Sequence, residues 1–267
     1  YYADRLYQLP LGVVGIAVGQ VLLPEIAAAI AGPDRARLHD VQNRTLEFAL
    51  ALALPAAAAL VVLAEPIVAV LFGRGAFTAA DVAASAEALA VFAVGLPAFV
   101  AVKVLAPIYW GRGDTRTPML IGAAAVAVNV ALALALRPAI GWIAVAVATS
   151  VAGWVNAGLA WIVLARRGHL RRDRDLDRRL PRLVLAAALL GGALLALRIG
   201  LLDAAVAEIG ALARLGRLAA TIGLGLALWG GLVVALRITD PRRLAAALGR
   251  AEPSRHEASC PSPSDRA

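Results

Sequence analysis

Cysteine, lysine and methionine are nearly absent from this 267-residue chain; each occurs once, as Cys260, Lys103 and Met119. A lone cysteine supports neither a disulfide nor a thiolate-ligated metal centre within the chain. The three histidines, His39, His169 and His256, sit at no metal-ligand spacing. No P-loop is found, so ATP-driven export by this chain is unsupported. Ser85 and Ser150 have no histidine near them in the expected topology. The chain reads as a non-enzyme, and no cofactor is implied.

Charge is also scarce. Charged residues make up 16% of the chain and hydrophobic ones 61%, where a soluble domain typically holds about 45–50% apolar residues. Mean hydropathy is +0.78. The apolar residues fall in blocks of about 18–25 with few charges, the length that crosses a bilayer as a helix. These features predict an all-α polytopic membrane protein. A net charge of +8 does not point to nucleic acid, because the arginines gather in short loops between apolar blocks and in the tail.

About seven spans can be placed: Leu6–Ile30, Phe48–Phe72, Val82–Tyr109, Met119–Leu136, Ile140–Ala165, Leu183–Leu197 and Leu215–Leu236. Thr78-Ala-Ala-Asp81 has the form of a capping box before the third. Thr117-Pro118 suits an N-cap with proline at the first helical position of the fourth. Asp34, after Gly32-Pro33, starts a short interfacial helix, Asp34–Glu47, before the second.

Arginines mark the orientation. One set of loops carries Arg35, Arg37, Arg44, Arg112, Arg116, the run Arg166–Arg179 and Arg182, and the tail adds Arg237, Arg242, Arg243, Arg250 and Arg255. The alternate loops hold Arg74, Arg137, Arg198, Arg214 and Arg217. The positive-inside rule places the first set and the tail in the cytoplasm. The first span then begins outside. With Tyr1 as first residue and an odd span count, an N-terminal portion is expected to precede it. The basic run also suits anionic headgroups, and the Pro/Ser-rich tail is expected to be disordered.

Arg5 is the first candidate for function. An arginine at bilayer depth costs about 2.5–3.5 kcal/mol on insertion scales and faces a partner or a cavity. Two readings stay open. Arg5 either snorkels at the outer interface with Asp4, among Tyr1, Tyr2 and Tyr7, or faces a wet interior where its donor fork matches a phosphate. Gly12, Gly15 and Gly19 allow close helix approach, and Pro10, Pro24, Pro55, Pro66, Pro97 and Pro107 weaken backbone ladders, which suits either packing or moving parts. Glu65 and Glu87 are expected to reach interfacial water, Asn129 and Asn156 to hydrogen-bond between helices, and Lys103 to snorkel.

Three stretches carry a family resemblance. YYADRLYQLPLGVVGIAVGQVLLPEIA, LFGRGAFTAADV and KVLAPIYWGRGDTRTPM occur here in the order found in the MurJ (MviN) lipid II flippases, which this chain resembles over about residues 1–167. The resemblance implies a bacterial inner-membrane, multi-pass chain corresponding to helices eight to fourteen of a fourteen-helix flippase fold. It divides the chain into the second lobe of the transporter core (1–167), a basic cytoplasmic linker (168–182), two additional helices (183–238) and a cytoplasmic tail (239–267).

The implied function is movement of an undecaprenyl-pyrophosphate-linked cell-wall precursor, lipid II, to the outer leaflet by alternating access. Besides lipid II, the implied partners are membrane lipids and the N-terminal half of the same protein, with a monovalent cation or the membrane potential as driving force. The implied substrate residues are Arg5, Asp4 and Lys103. An implied cation site would use Asn129, Val145 and Thr149, although the position one turn after Asn129 is Ala133 and supplies no carboxylate. Two rivals stay open: another exporter of the same superfamily, for polysaccharide-lipid or drugs, and a non-transporting scaffold for cell-wall synthesis.

Overall fold

The computed structural model describes residues 2–17, 35–170, 173–202 and 210–236. Among the described residues are eight α-helices and no strand. They are α1 (Tyr2–Ala17), α2 (Arg35–Val62), α3 (Ala64–Phe72), α4 (Ala79–Trp110), α5 (Arg116–Ile140), α6 (Ala144–Arg166), α7 (Arg174–Leu197) and α8 (Ala211–Ala235). Five stretches of them are long and apolar enough to cross a membrane, and one of the five, Arg116–Arg166, holds both α5 and α6. The continuation of the first span past Ala17 with Gly19 and Pro24, the Asp34 helix start, Arg171, Arg172 and the tail 239–267 lie outside the described residues.

The second span differs from its expected form at both ends. No glycine or proline interrupts Arg35–Leu54, so α2 runs through Glu47 without the separate interfacial helix. The helix then breaks at Leu63, a fully buried residue. Pro66 is the cause: it has no N–H to give the Val62 carbonyl four residues back. Arg198, just past α7, replaces that donor. Its Nη1 donates to the Val62 carbonyl at 3.0 Å, and its Nη2 pairs with Glu65 Oε2 at 2.5 Å. Glu65, expected to meet interfacial water, is half exposed and also serves this repair.

Other helix ends follow local chemistry. The Thr78–Asp81 capping box opens α4 as its sequence predicts, with both reciprocal bonds made. At α5 the Thr117 N-cap is replaced. The helix opens at Arg116, and Asp114 Oδ1 accepts the Thr117 amide at 2.9 Å. A carboxylate three residues ahead of a free amide is the stronger acceptor. The sixth span begins nine residues early, at Arg174, because Leu176, Leu183 and Leu190 repeat at helical spacing and are buried. Arg179 on this added turn bonds both oxygens of Glu47 on α2, at 3.0 and 3.2 Å.

The long α4 is the hub, packed on α1, α2, α3 and α6. On one side α6 carries α5 as an antiparallel hairpin; on the other α2 carries α7, which carries α8. Between apolar helices in lipid, area burial drives little, and close packing with hydrogen bonds does the holding. The α4–α6 seam has both. Ser150 Oγ donates to the Val91 carbonyl at 2.7 Å, Trp154 Nε1 to that of Val94 at 3.1 Å, and Tyr109 Oη to that of Ala160 at 2.7 Å. The first two bonds fall on either side of Ala93, whose carbonyl Pro97 leaves without its helical donor, and tie this part of α4 to α6. Phe99 fills the gap left by two glycines: a Cβ at Gly153 would stand 2.4 Å from its ring and one at Gly95 2.9 Å.

Gly153→Ala is expected to destabilise the protein by about 1–3 kcal/mol, the usual scale of overpacking. Thermal unfolding in detergent checks this, and adding Phe99→Ala should remove most of the extra loss. Simple additivity of the two changes would show that the contact does not matter.

Candidate functional site

The site is built on α1. Its inner face, Ala3, Leu6, Tyr7 and Val14, packs against α2 and α4. Tyr7 stacks on Phe92 with ring centroids 5.1 Å apart, and Tyr2 meets Phe72 and Phe77. The remaining surface divides in two. Leu9, Val13 and Ile16 form an exposed apolar strip, suited to acyl chains. Asp4, Gln8, Gly12 and Gly15, at steps of four, four and three residues, share a separate polar strip with Arg5 at its edge. Within it Gln8 Nε2 donates to Asp4 Oδ2 at 2.8 Å.

Helix length sets the depth at which the two readings of Arg5 compete. The 32 residues of α4 measure about 48 Å and overhang a hydrocarbon core of about 30 Å by about 9 Å at each end when centred. Phe92 lies about 20 Å from the start of α4, so with α4 centred Arg5, two residues before Tyr7 on the parallel α1, would stand about 8 Å inside the core boundary, within reach of a snorkelling side chain. Arg5 is exposed on this chain's surface. It stands beside Asp4 and Gln8 and away from the packed interior. Gly12 has no atom within 4 Å of an added Cβ, so it keeps the strip open and seats no neighbouring helix among the described residues.

Lys103 on α4 reaches the far end of the same strip. A Cβ built at Gly15 would stand 3.4 Å from its Cδ and 3.7 Å from its Nζ. Both residues line a cavity of about 590 Å³ that also meets Trp110, Met119 and Asn156. The structure thus places Arg5 and Asp4 together, and joins Lys103 to them through α1. The sequence spacing of Gln8, Gly12 and Gly15 held the signal that links them.

The proposed cation residues form a separate cluster. Asn129 Nδ2 donates to Thr149 Oγ1 at 3.2 Å, and Thr149 Oγ1 donates to the Val145 carbonyl at 2.8 Å. This relay ties α5 to α6, as expected of an interhelical asparagine. Its donor set contains no carboxylate, and no cluster of three acidic, histidine or cysteine side chains suited to a metal is found among the described residues.

At the arginine-rich end, Asp114 gathers the loop. It is bound by the Thr117 hydroxyl and amide and then by the Arg167 guanidinium at 2.5 Å, and these hold its carboxyl down from 3.8 to about 2. Arg112 donates to the Ile108 carbonyl at 2.9 Å, and burial pulls its guanidinium below its ordinary value.

Against known proteins, a family model described as "Lipid II flippase MurJ" matches residues 1–212. The chain belongs to the MurJ family. A relative from Rhizobium meliloti (strain 1021), named "Probable lipid II flippase MurJ", is 53% identical over 193 residues, covering 72% of this chain and 36% of the relative. One of the same name from Rickettsia prowazekii (strain Madrid E) is 31% identical over 239 residues, covering 90% and 47%. The chain thus spans less than half the length of these relatives. A solved structure of "Lipid II flippase MurJ, inward closed conformation" aligns with a TM-score of 0.70 at 22% identity, covering 88% of this chain and 46% of that one. The MurJ-family fold accounts for a multi-pass helical membrane protein, and the family is one of transporters.

Because its folded carboxyl lies below its unfolded value, Asp114 adds stability that is present above about pH 4 and lost as pH falls through about 2. Asp114→Asn is expected to melt lower than the parent at pH 7, with the gap closing toward pH 2. A gap of constant size across that window, measured by thermal unfolding, would contradict this.

Proposed function

We propose that this chain forms one lobe of a transporter that moves a lipid-linked diphosphate, lipid II, across the membrane by alternating access. The carrying observation is Arg5, exposed on α1 beside Asp4 and Gln8, at the edge of a polar strip that Gly12 keeps open among the described residues. A second helical lobe closing over that strip would create a wet chamber, and the guanidinium fork would offer paired donors to diphosphate oxygens. Asp4, bonded to Gln8, limits the net charge of the strip and orients its neighbours. Dragging a bare phosphate through hydrocarbon is prohibitive; the cationic chamber removes that barrier.

The lipid tail has a place of its own. An apolar groove of about 340 Å³ runs among α1, α2, α3, α7 and α8, past Pro10, Leu60, Ile67, Leu194, Ile222 and Trp229. In this reading it carries the polyprenyl chain while the head occupies the chamber. Arg179–Glu47 and Arg198–Glu65 pin α7 to α2 and α3 near both ends, which fixes the groove's walls. Rocking of one lobe against the other then exposes the head to either side, driven by a monovalent cation or by the membrane potential.

In vesicles containing the complete two-lobe transporter, Arg5→Ala is expected to cut flipping of fluorescent lipid II by about tenfold or more, with Arg5→Lys only partly restoring it. Flipping at the parental rate by Arg5→Ala would remove the mechanism. The arginine-rich loops and the tail are assigned to the cytoplasm. Cys260, the single cysteine, should accordingly resist a membrane-impermeant maleimide in intact cells and react once they are opened. Labelling of intact cells would reverse the topology.

A further inference from the structure

Among the described residues, the buried hydroxyls of Thr45, Tyr109, Ser150 and Thr221 each donate to a helix carbonyl, at 2.7–2.9 Å. Gln42 does not follow that pattern. It is 1% exposed, yet neither its Nε2 nor its Oε1 has a hydrogen-bond partner among the described residues. A primary carboxamide can donate twice and accept twice. Leaving those positions both buried and dry is costly, because the group gives up its bonds to water and gains none in return.

Gln42 stands three residues inside the apolar stretch His39–Val62 of α2. Leu46 and Ala49 follow it at steps of four and three, on the same face of the helix. Both belong to one packed cluster with Val14 of α1, Val100 and Val104 of α4 and Leu176 of α7. That face turns Gln42 toward neighbouring helices. Two acceptors with spare capacity lie by the cluster. Thr45, fully buried, spends its proton on the Val41 carbonyl and keeps lone pairs on Oγ1. On α4, Pro107 has no N–H to give the Lys103 carbonyl four residues back, next to Val104.

Water fits this set. It donates twice and accepts twice, and a buried water typically joins about three polar groups that lack other partners. A cation fits poorly, because the amide supplies one oxygen and no acidic cluster stands by it among the described residues. A lipid headgroup would need an opening to the surface, which the burial of Gln42 denies. We infer that Gln42 anchors an internal water that bridges α2 to the Lys103 carbonyl of α4. The bridge answers Pro107 as Arg198 answers Pro66, with a solvent molecule in place of a guanidinium. It is independent of what the protein transports.

The test uses the complete two-lobe transporter, labelled with nitrogen-15, in liposomes. Solid-state NMR follows the transfer of magnetisation from water protons to amides. Gln42→Met, close in length and without a hydrogen-bonding group, assigns the Gln42 side-chain resonance by its loss. That amide is expected to receive magnetisation from water at short mixing times, while the backbone amides of Leu46 and Ala49 stay silent. Gln42→Met should also lower the thermal midpoint, since the other partners of the water are then left unmet. Pro107→Ala returns an N–H to the Lys103 carbonyl and should slow the transfer to Gln42.

A Gln42 amide as silent as Leu46 and Ala49, with a higher midpoint for Gln42→Met, would reveal a dry, unpaired amide and overturn the site. Silence with a lower midpoint would overturn it as well, by giving Gln42 a direct protein partner. Transfer that Pro107→Ala leaves at the parental rate would overturn the bridge to α4.

Discussion

A charged side chain at hydrocarbon depth has to be kept from acyl chains, and the construction of α1 follows from that constraint. The helix cannot bury Arg5 in its own lobe, because the packed face is filled by Leu6, Tyr7 and Val14 against α2 and α4. On the exposed side Arg5 comes four residues before Leu9, so it borders the strip of Leu9, Val13 and Ile16 as well as the polar one. A third strip of Asp4, Gln8, Gly12 and Gly15 gives the guanidinium polar company and no bulk. In the transport reading a further polar surface or water would cover this strip, which is open among the described residues.

The same rule governs the backbone. Unsatisfied carbonyls are costly in a bilayer, and prolines create them. At Pro66 the orphan Val62 carbonyl is met by Arg198 from beyond α7. Near Pro97 the α4 carbonyls receive extra donors from Ser150 and Trp154 on α6. At Pro66 the repair comes from another segment, and near Pro97 the added donors come from α6, so both places tie neighbouring helices together.

Much of the architecture was legible in the sequence. Apolar runs long enough to span a bilayer can form only helices there, and the capping box at Thr78–Asp81 marked one start to the residue. The Asn129–Thr149 bond between α5 and α6 was also readable, since both residues sit at matching depths of adjacent spans. Less visible was the start of α7, because its charged first turns resemble a loop unless the Leu176–Leu183–Leu190 spacing is weighed against the arginines. The Thr117 cap was misplaced for a similar reason. Competition between Asp114 and Thr117 for one amide depends on where the loop carries the carboxylate.

What the sequence determined by itself was the solvent of each segment: hydrophobic length and arginine placement dictate which residues lie in lipid and which in loops. Tertiary structure alone decided how polar residues far apart in the chain are used. Arg198 meets Val62, Arg179 meets Glu47, and Lys103 lies on Gly15 because residues about 90 to 140 positions apart were brought side by side in one register. No local pattern encodes such a meeting. It depends on the crossing geometry of whole helices, which close packing of small and large side chains along their full length sets.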